Sequence, residues 1–111
     1  TKHAYKVFKK NNKGTIININ SVAGKTGNPS ESIYCASKFG LRGFTSSLQM
    51  TCAPVKVIDV YPAGIKTDMT KHREDHNNFI DPDEAADVIC SSSLDYTTFR
   101  PAELELRRMK Y

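Results

Sequence analysis

The 111-residue sequence has few of the features that would assign it to a specialised class. No apolar run approaches the ~18–20 residues of a membrane-spanning helix and no signal-peptide pattern is present, so no membrane partner is expected. The three cysteines are an odd number without a CxxC spacing, which argues against a disulfide scaffold and favours a cytoplasmic location. The net charge is only +4 and the basic residues are dispersed, which predicts no nucleic-acid partner.

The residues that are present suffice for one small hydrophobic core. Hydrophobic residues make up 39% of the chain, and with the six glycines the composition is that of a folded protein rather than a disordered one. The length corresponds to one domain or to part of one.

A helix and a strand are predicted at the start of the chain. Residues 1–12 have helical apolar spacing and end in a stop signal, in which Gly14 is suited to a left-handed cap. Residues 15–20 are β-branched and predict a strand. Their three isoleucines indicate burial on both faces, as in a parallel sheet.

A second helix and a second strand follow. The helix is predicted to begin at Ser30 or Ser32, either of which could cap it, and to run to about Met50. The apolar stretch 55–60 predicts a strand that ends at residues 61–62, where a loop begins.

The third helix has a sharp predicted start. Asp81 can cap it, Pro82 suits the first helical position and Glu84 closes a capping box, and the helix is expected to reach about Leu94. Residues 103–107 alternate like a half-exposed strand. Helices that alternate with strands predict the α/β class, with three parallel strands and flanking helices.

Two Tyr–Lys pairs have the spacing i, i+4: Tyr34 with Lys38, and Tyr5 with Lys9. On a helix, residues at this spacing project from one side. An ammonium group beside a phenol favours the phenolate and so assists proton exchange with a substrate oxygen. The spacing is not diagnostic by itself, because exposed stacking pairs share it.

Ser21 distinguishes the surroundings of Tyr34 from those of Tyr5. It directly follows the predicted strand 15–20, and the carboxyl ends of parallel strands are where such sheets bind ligands. A serine after a strand commonly makes a turn hydrogen bond. The order of features along the chain indicates a ligand-binding site: a strand, a serine, a small-residue turn, and then a Tyr–Lys pair on one helix.

In these stretches the sequence resembles the short-chain dehydrogenase/reductase family. The matching residues are 16–24 (IININSVAG), Pro29, and 34–41 (YCASKFGL). Residues 61–69 (YPAGIKTDM) resemble the nicotinamide loop of that family.

The resemblance implies an NAD(P)-dependent oxidoreductase that interconverts a carbonyl and an alcohol of a small-molecule substrate by hydride transfer. Tyr34 would be the general acid/base, and Ser21 would hydrogen-bond the substrate oxygen. Lys38 would hold the nicotinamide ribose and favour the phenolate.

The same resemblance implies which residues hold the cofactor, NAD or NADP. Ile65 would offer backbone groups and Thr67 a hydroxyl group. The full predicted set is Tyr34, Lys38, Pro62, Gly64, Ile65 and Thr67. The segment from 70 to 80 would cover the substrate.

The sequence matches only the second half of the family's doubly wound Rossmann-type sheet. It has no glycine-rich turn after a first strand to take the pyrophosphate and no acidic residue placed for the adenosine ribose. We therefore expect residues 1–111 to form a single partial domain, with the strand at 15–20 exposed at an edge. Alone, this chain is expected to bind cofactor poorly and to have weak activity or none.

The predicted helix at 30–50 also carries a stripe of small residues. They are Ala36, Gly40, Gly43 and Ser47. The stripe allows another backbone to approach, either the chain's own sheet or a second subunit. In the resembled family this helix and the one before the serine strand form a subunit interface, which predicts a homo-oligomer through the helices at 30–50 and 1–12.

The sequence suggests two alternative functions. One is a truncated, non-enzymatic interaction module that pairs through its helices, and the other is a nucleic-acid module, which the lack of an aromatic platform disfavours. His72 and His76 lie four residues apart but have no third ligand in the pattern, so no metal site is predicted.

Overall fold

The computed structural model describes residues 1–94 and 96–111, and within them helices and strands alternate as predicted. Short 3₁₀ turns lie at 22–24, 68–70 and 76–78. The longer elements are α1 (Lys2–Lys10), β1 (Thr15–Ile19), α2 (Ser32–Gln49), β2 (Lys56–Pro62), α3 (Pro82–Ser92) and β3 (Glu103–Leu106). None of the described helices is long and apolar enough to cross a bilayer.

The three strands form one parallel sheet in the order β1-β2-β3. Between β1 and β2, Ile16 pairs with Val57 and Asn18 pairs with Asp59. On its other side, Asp59 of β2 pairs with Glu103 of β3. The predicted α/β class, with three parallel strands and flanking helices, is confirmed. β1 lies at an edge of this sheet, as expected.

β1 is less buried than its three isoleucines indicated. Ile16 is 7% exposed and Ile17 is half-buried, but Ile19 is 53% exposed. The expectation of burial on both faces is therefore wrong at the carboxyl end of β1. The reason is that β1 pairs with a strand on one side only. Side chains at the end of such an edge strand lack the cover that a second neighbouring strand and its helix would give.

The turn after α1 uses a different residue from the one predicted. Asn12 takes the left-handed conformation, with φ of 56°, directly after the capping residue Asn11. Gly14 instead has φ of 151°, and a Cβ atom there would overlap the ring of Phe8. Glycine is needed at this position for close packing and for an unusual φ, not as the helix cap.

The starts of α2 and α3 differ in how well the sequence predicted them. Neither Ser30 nor Ser32 caps α2, because the capping position is held by Glu31. α3 begins at the predicted cap, since the carboxyl group of Asp81 accepts hydrogen bonds from the backbone nitrogens of Asp83 and Glu84 and Pro82 follows it. Among the described residues the Glu84 carboxyl group does not bond to the Asp81 backbone nitrogen, so the predicted capping box is not formed. The sequence therefore predicted the cap of α3, which one side chain supplies, but not the start of α2, which has no side-chain cap.

The main apolar core lies between the sheet and the first two helices. Two of its four buried members, Ile16 and Val57, are neighbours on β1 and β2. The remaining members come from α1, α2 and the segment before β2: Tyr5, Phe8, Leu48, Cys52 and Val55.

A cluster of charges joins β3 to the turn that follows β1. The Lys25 ammonium lies 2.9 Å from Glu103 and 3.0 Å from Glu105, and it sits 4.4 Å from the centroid of the buried Tyr61 ring. The hydrogen bond from Lys25 holds the pKa of the Glu103 carboxyl group below its usual value. The cluster ties β3 to the end of β1 across β2.

Gly14→Ala is expected to lower the free energy of unfolding by about 2–3 kcal/mol, because a Cβ atom there meets Phe8 at an unfavourable φ. Thermal denaturation measures the effect. Gly27→Ala is the control, because a Cβ atom at Gly27 has no neighbour within 4 Å among the described residues. Equal melting temperatures for the two variants would contradict this account of Gly14.

Acid unfolding is expected to depend on Glu103. A carboxyl group whose pKa is lower in the folded state stabilises the fold above its unfolded-state pKa of about 4.5, and this contribution disappears as the pH falls through the folded-state value. Glu103→Gln should therefore reduce stability near neutral pH and flatten its decline below about pH 4.5. Denaturant titrations from pH 7 to pH 3 measure this, with Glu74→Gln, an exposed change of the same charge, as control. Parallel pH curves for wild type and Glu103→Gln would be evidence against the ion pair.

Candidate active site

Ser21 lies at the carboxyl end of β1, where the chain enters the 3₁₀ turn at 22–24. Its Oγ accepts a hydrogen bond from the backbone nitrogen of Ala23 at 3.1 Å and so caps that turn. This is the turn hydrogen bond expected of a serine after a strand. Because Oγ accepts in this bond, its own proton is left for donation to another oxygen.

The turn after Ser21 rests directly on α2. A Cβ atom at Gly24 would lie 2.9 Å from the Lys38 carbonyl oxygen and 2.9 Å from Oδ1 of Asn20. Only glycine allows this approach. The close contact places the Ser21 turn beside the turn of α2 that carries Lys38.

Tyr34 and Lys38 form the pair that the spacing predicted. The Lys38 ammonium is 5.6 Å from the Tyr34 ring centroid, Tyr34 is 45% exposed and Lys38 is half-buried. Within residues 1–94 and 96–111, neither the Tyr34 hydroxyl nor the Lys38 ammonium makes a hydrogen bond or ion pair, so both can meet a ligand.

Tyr5 and Lys9 on α1 have almost the same local geometry. Their ammonium-to-centroid distance is 5.5 Å, and Lys9 Nζ also lies 3.4 Å from the Tyr5 hydroxyl, to which it donates. The spacing alone therefore produces the same stack twice. What differs is the location, because only the Tyr34 pair lies on the helix that packs against the Ser21 turn.

The predicted nicotinamide loop follows β2 at the same end of the sheet. Pro62 is the last residue of β2, and a Cβ atom at Gly64 would lie 2.7 Å from the Phe79 ring. Ile65 forms a parallel bridge with Ile80, so the two ends of the intervening segment are joined.

Thr70 fastens this segment and was not predicted from the sequence. Its hydroxyl lies 2.7 Å from the Ile65 carbonyl oxygen and donates to it, and it accepts from the backbone nitrogen of Thr67 at 3.1 Å. Ile65 was expected to offer backbone groups to a cofactor, and its carbonyl oxygen already has one internal partner and keeps one lone pair. His76 Nδ1 is 3.2 Å from the same hydroxyl, whereas His72 is exposed in a turn.

The C-terminal segment packs against the 70–80 segment. Arg108 Nη1 is 2.6 Å from Asp75 Oδ2, and the guanidinium lies 5.0 Å from the Phe79 ring centroid. The hydrogen bond from Arg108 lowers the pKa of the Asp75 carboxyl group. These contacts hold the segment that follows the Gly64 loop.

A buried polar link that the sequence did not predict lies beneath the site. Asn20 Oδ1 accepts from the backbone nitrogen of Ser21 at 2.9 Å, while Nδ2 donates to the Lys38 carbonyl at 3.2 Å and to Asp59 Oδ2 at 3.1 Å. The signal was an aspartate in the apolar run of β2, because polar residues inside buried strands need partners. Asn20 thus connects the two strands and the helix that hold the candidate residues.

The arrangement offers a hydroxyl donor, a phenol and an ammonium group on elements that contact each other. Such a set can bind an oxygen atom of a substrate and exchange a proton with it. The predicted residues of the 62–67 loop lie at the end of the neighbouring strand, where parallel sheets bind ligands.

Comparison with known proteins supports this reading at the level of the family. The family model described as short chain dehydrogenase matches residues 1–78. A 3-oxoacyl-[acyl-carrier-protein] reductase of Rickettsia felis is 46% identical over 71 residues, which is 62% of this chain and 30% of that protein. The reductase of the same name from Bos taurus is 44% identical over 70 residues, or 61% and 30% of the two chains.

Solved structures share the fold. A betaketoacyl-[ACP] reductase from Bacteroides thetaiotaomicron superposes with a TM-score of 0.80 at 23% identity, covering 97% of this chain and 47% of that one. Serine dehydrogenase from Escherichia coli gives 0.79 at 22% identity, covering 96% and 45%. The closed form of serine dehydrogenase complexed with NADP+ gives 0.74 at 24% identity, covering 87% and 45%. The chain thus spans less than half of each solved relative.

The family match extends over more than half of the chain and includes Ser21, Tyr34, Lys38 and the loop at 62–67. The three-stranded parallel fold of this chain superposes on that of the solved structures. The chain belongs to the short-chain dehydrogenase/reductase family.

Proposed function

We propose that this protein is an NAD(P)-dependent oxidoreductase that interconverts a carbonyl and an alcohol on a small-molecule substrate. Family membership supports the oxidoreductase class. The observation that carries the proposal is the contact of the Ser21 turn with the backbone of α2 at Lys38, since it brings the turn that carries the Ser21 hydroxyl against the part of the helix that bears the ammonium group.

The residues present fit the nicotinamide side of NAD or NADP. The Lys38 ammonium has no ion pair among the described residues, so it can hold ribose hydroxyls. The Ile65 carbonyl keeps one lone pair and Thr67 is exposed. Pro62 and Gly64 shape the loop. When bound, the nicotinamide supplies or accepts the hydride, and the protein contributes placement and electrostatics.

The chain's own residues handle the proton. Ser21 binds the substrate oxygen through its hydroxyl proton, and Tyr34 gives a proton to that oxygen in reduction or takes one in oxidation. The Lys38 ammonium, 5.6 Å from the centroid of the Tyr34 ring, places a positive charge beside the group that exchanges the proton. The 70–80 segment would cover the substrate on its other side and so keep water from it.

We propose further that residues 1–111 form one partial domain that needs further residues for full activity. The radius of gyration is 15.3 Å, larger than the about 13 Å expected of a compact domain of this length. β1 lies at an edge with Ile19 exposed, and the sequence has no turn for the pyrophosphate. The isolated chain is therefore expected to bind cofactor poorly and to turn over little.

A homo-oligomer is proposed through α1 and α2. Among the described residues a Cβ atom at Gly40 or Gly43 has no neighbour within 4 Å, so the small-residue stripe does not pack on the chain's own sheet. Ile33 beside it is 85% exposed and Phe44 is 49% exposed. A second copy of the chain fits such a face, because small residues let two helix backbones approach.

Tyr34→Phe is expected to abolish turnover while cofactor affinity stays within about twofold, because the phenol exchanges the proton whereas Lys38 remains to hold the ribose. The measurements are steady-state kinetics and cofactor titration on the protein as its source produces it, with the 3-oxoacyl thioesters implied by its relatives' names among the carbonyl compounds assayed.

Tyr5→Phe is the matched control, since it removes the same hydroxyl from a pair with the same geometry, and it should leave turnover unchanged. Retained activity in Tyr34→Phe would refute the role of Tyr34. If no carbonyl or alcohol is turned over by the wild-type protein, the non-enzymatic interaction module becomes the better account.

The self-association is tested by light scattering. The wild type is expected at a mass at least twice that of one chain, and Gly43→Arg should shift it to the mass of one chain, because a long charged side chain blocks close helix approach. Gly27→Arg, an exposed position in the loop before α2, is the control. A wild-type protein that stays monomeric at high concentration would rule out this interface.

A further inference from the structure

Asn20 is a buried polar residue at the site that the proposed proton transfer does not use. It is 4% exposed, and its side chain makes three hydrogen bonds: from the Ser21 backbone nitrogen, to the Lys38 carbonyl and to Asp59 Oδ2. The amide group offers its oxygen to the one donor and its two N–H protons to the two acceptors. This pairing fixes the direction in which the side chain points.

Asp59 gives that amide a rigid anchor. It is 1% exposed on the central strand β2, and its Oδ2 also accepts from the Tyr61 hydroxyl at 2.6 Å. Burial, and then the hydrogen bond to Asp59, raise the pKa of the Tyr61 phenol, so Tyr61 keeps its proton and remains a donor. Asp59 Oδ1 has no partner among the described residues. A buried carboxyl group satisfied at one oxygen is costly to stability, which indicates another role.

The packing around Gly24 makes the link sensitive to small displacements. The position of a Cβ atom at Gly24 is 2.9 Å from both Asn20 Oδ1 and the Lys38 carbonyl oxygen. The turn, the amide and the helix are therefore in mutual contact. A shift of the Asn20 side chain would therefore move both the backbone of Ser21 and the backbone of Lys38.

We propose that Asn20 is a positioning residue, which holds the backbones of Ser21 and Lys38 in one arrangement against the carboxyl group of Asp59. The inference rests on the proposed function, because the separation of Ser21 and Lys38 matters to proton transfer only if that function is right. Asn20 touches neither substrate nor cofactor and acts through its two neighbours.

The test compares Asn20→Ala with Asn18→Ala. Asn18 also lies on β1 and donates to α2, at Thr45 Oγ1 over 2.9 Å, but within residues 1–94 and 96–111 its side chain makes no hydrogen bond to Ser21 or Lys38. Both variants should lose thermal stability. Only Asn20→Ala should lower kcat, by about tenfold, while KM for the carbonyl substrate changes by less than about twofold. Equal losses of kcat in the two variants would overturn the proposal.

A second pair of variants tests the anchor. Asp59→Asn keeps an acceptor oxygen and should retain kcat within about twofold, whereas Asp59→Ala should lower it as Asn20→Ala does. Because both residues act through one link, the double variant Asn20→Ala/Asp59→Ala should be no slower than Asn20→Ala alone. Losses that multiply would show that Asp59 does not act through Asn20.

Amide hydrogen exchange at Ser21 separates this proposal from the proposed function. Exchange at the Ser21 backbone nitrogen should be about tenfold faster in Asn20→Ala and unchanged in Asn18→Ala, whether or not the protein is an enzyme. Unchanged exchange in Asn20→Ala would overturn the link, whereas activity in Tyr34→Phe would overturn only the catalytic assignment. If Asn20→Ala fails to fold, Gly24→Ala displaces the same amide without deleting it and should produce the same loss of kcat.

Discussion

The hydrogen bonds of the Asn20 side chain hold the end of β1 against α2 and β2. They join a strand end, a helix carbonyl and a buried carboxyl group, and each bond is close to 3 Å. Polar groups buried in a protein must find partners, so this amide constrains how near the helix can lie to the sheet. Gly24 is the other half of the constraint, because any larger residue would occupy the space between the amide and α2. The Ser21 turn and Lys38 stay adjacent because both conditions are met.

Three tyrosines illustrate how location decides what a phenol can do. Tyr61 is fully buried, and burial together with its hydrogen bond to Asp59 raises its pKa, so it serves as a permanent donor within the sheet. Tyr5 lies under the Lys9 ammonium on α1. Tyr34 is partly exposed at the carboxyl end of the sheet, with its hydroxyl unused among the described residues. Of these three, Tyr34 alone combines access to a ligand with an ammonium group and a nearby serine turn.

The features that the sequence predicted correctly are those that depend on residues close together in the chain. The alternation of helices and strands and the Asp81 cap were predictable, because each rests on residues a few positions apart. The sequence predicted the left-handed cap at Gly14, but Asn12 adopts it. Glycine is needed at position 14 because the Phe8 ring of α1 packs there, and the residues around Gly14 do not reveal this contact. Ile19 was expected to be buried because the strand contains three isoleucines, but it is exposed. The hydrophobic pattern of a strand does not reveal how many strands lie beside it.

By itself the sequence determined the α/β class, the family and the residues Ser21, Tyr34 and Lys38 as candidates, because these depend on periodicity and on motifs of closely spaced residues. Only the tertiary structure shows that the serine turn packs directly against α2 at Lys38, and that Asn20 connects this turn to α2 and β2. The bonds that do so join residues 18 and 39 positions apart in the chain. Partners so distant in sequence are chosen by the packing of strands and helices, which no local pattern encodes.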